Sequence, residues 1–68
     1  MTNKEWNMGI EYLTDSQEGD WISYENRKVS VENMEGGKFL CYEKDENGYY
    51  EIVKLVETVV EAMLFLRG

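Results

Sequence analysis

Four stretches rich in glycine, asparagine and acidic residues, "DSQEGD" at 15–20, "ENRK" at 25–28, "EGGK" at 35–38 and "DENG" at 45–48, punctuate a chain that contains no proline. Their spacing leaves only strand-length pieces between them, so the chain is held to short strands and tight turns. Those pieces are "MGIEYLT", "WISYE", "KVSVENM", "KFLCYEK" and "YYEIVKLV". They are rich in the β-branched and aromatic residues that suit a pleated sheet. No repeat or low-complexity linker interrupts them, and residues 1–68 read as a single small domain.

Turn geometry predicts a register. A two-residue turn at Asn47-Gly48 sets Lys44 opposite Glu51, Tyr42 opposite Val53 and Leu40 opposite Leu55. A Gly36-Gly37 loop sets Val31 opposite Tyr42, and an Asn26-Arg27 loop sets Tyr24 opposite Val29 and Ile22 opposite Val31. Together they put Ile22, Tyr24, Val29, Val31, Leu40, Tyr42, Val53 and Leu55 on one face. A slip of one residue in any turn breaks that agreement, because side chains alternate with period two. The opposite face then mixes Glu32 and Glu43 with Trp21, Phe39, Cys41, Tyr50 and Ile52.

At the far end, "TVVEAMLFLRG" carries Thr58 and Glu61 at capping-box spacing and Arg67 where it suits the negative end of a helix dipole. A helix from about Val59 to Arg67 follows, its apolar residues wrapping nearly all the way round. One stripe packs on the sheet. The remainder, Val60, Met63, Leu64, Phe65 and Leu66, is expected to meet the same helix of a second subunit, making a homodimer. The expected fold class is α+β: an antiparallel β-meander of four to five strands with one C-terminal helix. The segment "NKEWNM" is a candidate cover for the outer face.

Catalysis finds little support. There is no histidine, and the lone Cys41 has no evident base beside it, so it reads as a small packing residue. No disulfide framework and no cysteine-based zinc site can be built from one cysteine. "DSQEGD" superficially matches a calcium loop, but its fifth, sixth and twelfth positions are Gly19, Asp20 and Asn26, which miss the EF-hand ligands. No cofactor or metal is expected. The start of the chain has no signal-like apolar run, and "AMLFL" is far too short to span a bilayer, so a cytoplasmic protein without membrane attachment is expected.

Charge is the strongest functional signal. Asp and Glu number 14 against 7 Lys and Arg, a net charge of −7, which disfavours direct binding to nucleic acid. On the expected meander Asp15, Glu18, Asp20 and Glu35 fall at one end. Glu25, Glu43, Asp45, Glu46 and Glu51 fall at or near the other, and Glu32 lies on the outward face. Turn carboxylates keep small proteins soluble, yet the lysines here are too few to neutralise them.

In size, acid excess and the rows "DSQEGD" and "EKDENGYYE", the chain resembles the small acidic phage-encoded inhibitors that act as DNA mimics during host takeover. That resemblance implies carboxylates standing in for phosphates on the basic DNA-binding surface of a host protein, such as a nucleoid-associated HU protein. It carries over no residue positions. A second reading is a small adaptor or protein-interaction module that binds through its aromatic sheet face, with acidity serving solubility alone.

Overall fold

The computed structural model describes all 68 residues, Met1–Gly68. Helix α1 (Asn3–Thr14) is followed by strands β1 (Trp21–Tyr24), β2 (Val29–Asn33), β3 (Phe39–Lys44) and β4 (Tyr50–Val56), then helix α2 (Val59–Arg67). The strands form one antiparallel sheet in the order β1-β2-β3-β4. The fold is α+β, and the meander and C-terminal helix lie where the sequence puts them. Both helices sit on one face of the sheet, giving two layers and extents of 31 × 28 × 15 Å.

An N-terminal helix replaces the first expected strand. Thr2 caps it: the Glu5 amide donates to Thr2 Oγ1 at 3.1 Å and the Thr2 amide donates to Glu5 Oε1 at 2.9 Å. Those bonds hold the Glu5 carboxyl below its ordinary pKa. Trp6, Ile10 and Leu13 recur at helical spacing and turn inward, whereas Met8 and Tyr12, which make "MGIEYLT" alternate like a strand, are exposed.

The registers of two of the three hairpins differ from expectation. Between β1 and β2 the expected pairs Tyr24 with Val29 and Ile22 with Val31 are present. Between β2 and β3 the turn is three residues, Glu35–Gly37, closed by Met34 N–H donating to the Lys38 carbonyl at 2.7 Å. Gly36 and Gly37 both take positive φ, 78° and 76°, which glycine adopts without strain. One extra turn residue pairs Val31 with Cys41 rather than Tyr42. Phe39 and Cys41 therefore face the helices, while Leu40 and Tyr42 face away.

Between β3 and β4 the loop is also longer than two residues, with Asp45 N–H donating to the Tyr49 carbonyl at 2.8 Å. Lys44 pairs with Tyr50, Glu43 with Glu51 and Tyr42 with Ile52. A bulge then inserts Val53, and beyond it Leu40 meets Leu55 as expected.

The core is Leu13, Val29, Val31, Phe39, Cys41, Val56, Ala62, Met63 and Leu66. Met63 and Leu66, which the sequence assigns to a seam between subunits, are fully buried within the chain. Thr58 caps α2 as expected, accepting from the Glu61 amide at 3.1 Å. The other end of α2 is closed by Arg27, whose Nη1 donates to the Phe65 and Leu66 carbonyls at 2.7 and 3.1 Å. Arg67 lies 4.8 Å from the centre of the Trp6 ring, linking the two helices. Neither helix is long and apolar enough to cross a membrane.

The helices meet at Gly9, where a Cβ would overlap the buried Sδ and Cε of Met63. The gain in helix propensity from Gly9→Ala, about 1 kcal/mol, is thus opposed by overpacking of about 1–3 kcal/mol. Urea unfolding should show Gly9→Ala to be net destabilising. Combining it with the shorter-reaching Met63→Leu should lose less than the two single losses added together.

Candidate functional site

The antiparallel order collects the α1–β1 loop, the β2–β3 turn and the β4–α2 junction at one end of the sheet. That end holds Glu11, Asp15, Glu18, Asp20, Glu35, Glu57 and Glu61, against Lys38 and, two residues inside the end of β4, Lys54. Two shallow hollows lie there. One, of about 420 Å³, is flanked by Glu18, Glu35 and Glu57, and the other by Glu11, Asp15 and Asp20.

A relay of hydrogen bonds fixes this acidic end. Asn33, at the last position of β2, is buried and donates from Nδ2 to Ser16 Oγ at 2.6 Å, and Ser16 Oγ donates to the Leu13 carbonyl at 2.6 Å. The Gly19 amide donates to the Asn33 carbonyl and the Asn33 amide to the Asp20 carbonyl, at 2.8 and 2.9 Å. The loop is therefore laced to both α1 and β2. Asp20 is partly spent on this lacing, because its Oδ2 accepts from the Gln17 amide at 2.8 Å. Asp15, Glu18 and Glu35 are exposed and take part in no ion pair.

The opposite end is electrically balanced. Lys4, Arg27, Lys28, Lys44 and Arg67 share it with Glu5, Glu25, Glu43, Asp45, Glu46 and Glu51. The one ion pair of the molecule, Lys44 with Glu25 at 3.4 Å, is here, so Lys44 does not pair with Glu51 as the two-residue turn would have it. Asp45 builds the loop, its Oδ1 accepting from the Asn47 and Tyr49 amides at 2.9 Å each. Glu43 and Glu51 stand directly opposite on neighbouring strands, a like-charge pair that destabilises the sheet locally. The sequence gives the two ends equal weight; the fold concentrates unneutralised acid at the end containing Asp15, Glu18, Asp20 and Glu35. Glu57 and Glu61 join it because α2 starts there, and Glu11 because α1 ends there.

The sheet face away from the helices is the second surface. Trp21, Tyr42 and Tyr50 cluster on it, with ring centres 5.1, 5.9 and 6.3 Å apart. Lys44 Nζ lies 5.3 Å from the Tyr50 ring centre, and the Tyr42 hydroxyl donates to Glu32 at 2.7 Å. Ser23 and Ser30 share a 2.7 Å hydrogen bond between hydroxyls. Ile52, Val53 and Leu55 are exposed beside the rings. Trp21, Tyr50, Ile52 and Glu32 are where the sequence puts them, but Phe39, Cys41 and Glu43 turn to the helix side, while Leu40, Tyr42 and Leu55 turn to this face.

Val60 and Leu64 of α2 are exposed, and Phe65 is half-buried beside Lys54, 5.6 Å from its ring centre. An apolar groove of about 500 Å³ runs between α1 and β1, past Met8, Tyr12, Trp21 and Ile22. Cys41 is fully buried, and burial pushes its thiol up from the ordinary value. The carboxylates are spread: no three donor side chains stand close enough to hold a metal ion. No family model, curated protein or solved structure matches the chain.

Tyr42 offers a direct readout of the open face. Its hydrogen bond to Glu32, aided by burial and by the Glu32 charge, pushes its pKa up from 10 to about 12. The fold thus holds this proton more tightly than the unfolded chain does. The stability this contributes is fully present below pH 10 and is lost as pH rises through about 12. Absorbance titration should show Tyr42 ionising near pH 12 in the folded protein. In Glu32→Gln its titration should fall back toward 10.

Proposed function

We propose that this chain is a non-enzymatic binding protein that occupies the cationic DNA-binding surface of a basic host protein, of the nucleoid-associated kind, and so keeps DNA off it. The observation that carries the reading is the segregation of charge. One end of the sheet presents Asp15, Glu18, Asp20, Glu35 and Glu57 against only Lys38 and the nearby Lys54, and no ion pair neutralises any of them. A basic cleft preorganised for a polyanion attracts such a surface over a Debye length of about 8 Å at physiological salt. The spread of the carboxylates supports recognition of an extended cationic surface over capture of a single ion.

The Asn33 relay supports the same reading from the energetic side. Holding like charges on one rigid loop costs stability, and the acidic loop is nevertheless tied down by Asn33, Ser16 and the Gly19 amide. Carboxylates held in place lose less freedom on binding than carboxylates on a mobile tail. Glu43, Glu46 and Glu51 at the opposite end contribute less, because Arg27, Lys28 and Lys44 lie among them. The adaptor alternative leaves binding to the charge-poor sheet face and gives charge no part in affinity.

A competition assay separates the two. Duplex DNA bound to a nucleoid-associated protein should be released on adding this protein, with an apparent affinity that falls steeply as salt rises. Reversing Glu18, Glu35 and Glu57 to Lys should weaken that competition by about 100-fold or more, whereas reversing Glu43, Asp45 and Glu46 should weaken it far less. Competition that ignores the first triple reversal, or a partner retained equally at high salt, would sink the proposal.

A further inference from the structure

We infer that the open sheet face is the seat of a second copy of this chain, packed face to face with the strands of the two sheets running in opposite senses. On that face Trp21, Tyr50, Ile52, Val53 and Leu55 keep between 38% and 63% of their surface exposed, although both helices are already committed to the other side. With aromatic side chains at about 150–250 Å² each, the exposed apolar area is on the order of 500 Å² per subunit. Pairing two such faces buries about 1,000 Å², the lower bound of a specific interface.

Charge selects the occupant. The only two charged side chains that the register directs to this face are Glu32 and Lys44, and both are satisfied within the subunit. Glu32 accepts from the Tyr42 hydroxyl, and Lys44 pairs with Glu25 and lies against the Tyr50 ring. A strongly basic or acidic partner would find nothing here to pair with. An identical apolar face would leave no charge unpaired, and two sheets packing about 10 Å apart would bury both aromatic clusters.

Charge also selects the orientation. A two-fold axis along the strands would stack one acidic end on the other, in a dimer whose subunits each carry −7. An axis across the strands instead lays the end with Asp15, Glu18 and Glu35 over the partner's end with Arg27, Lys28 and Lys44. The second arrangement keeps the two acidic ends apart and sets each over the balanced end of its partner, where those cations lie.

Sedimentation equilibrium across micromolar concentrations should give twice the 8.0 kDa chain mass. Ile52→Glu with Leu55→Glu should raise the dimer dissociation constant by about 100-fold or more. Both residues are exposed, so far-UV circular dichroism should stay unchanged. Leu64→Glu on the outer side of α2 should leave the dimer intact. Zero-length cross-linking should join Lys28 or Lys44 to Glu18 or Glu35 in the dimer and not in the monomeric variant. A monomeric wild type, or a dimer broken by Leu64→Glu and untouched at Ile52 and Leu55, would overturn the interface. A monomer whose face captures a different protein would assign the face to that protein. Cross-links joining Lys38 to Glu18 across subunits would overturn the orientation.

Discussion

The three-residue turn at Glu35–Gly37 decides which half of this molecule is inside. Its length sets the parity of β3 against β2, and because side chains alternate along a strand, parity determines whether Phe39 and Cys41 or Leu40 and Tyr42 meet the helices. With Phe39 and Cys41 inward, α2 can close over them with Ala62, Met63 and Leu66. With Tyr42 outward, the aromatic cluster with Trp21 and Tyr50 becomes possible. The inner core and the outer surface thus follow from the same two glycines.

A second consequence of the layout is that the apolar and the acidic surfaces are kept apart. The apolar surface lies on the broad face and the unneutralised acid on one narrow end, joined by strands that carry few charges of their own. The relay from Asn33 through Ser16 to Leu13 anchors the acidic loop to the edge of the core.

How much of this could be read from the sequence varies with the physical signal. The N-terminal cap of α2 was legible, since Thr58 and Glu61 are local chemistry, whereas its closure by the distant Arg27 was not. So was the β1–β2 register, because the Glu25–Lys28 loop has the residue count that pairs Tyr24 with Val29. The β3 face was not, because a Gly-Gly pair permits turns of either two or three residues and the two choices give opposite faces. Helix α1 was obscured by Met8, Ile10 and Tyr12, whose period-two alternation masks the helical spacing of Trp6, Ile10 and Leu13. At the acidic end, Asp15, Glu18, Asp20 and Glu35 were visible as turn residues. Glu11, Glu57 and Glu61 join them only through helix placement, which no local pattern reveals.

That α2 follows all four strands along the chain has a consequence for how the protein is made. All four strands are complete by Val56, yet the covered face of the sheet depends on Ala62, Met63 and Leu66, and α1 rests largely on α2 through Gly9 and Met63. A chain synthesised from its N-terminus holds its whole meander with only α1 available to cover one side of it. Arg27 finds its acceptors only once Phe65 and Leu66 have emerged. During that interval unfinished chains are at their most adhesive. The excess of carboxylates then opposes such sticking, because half-covered copies repel one another until α2 docks.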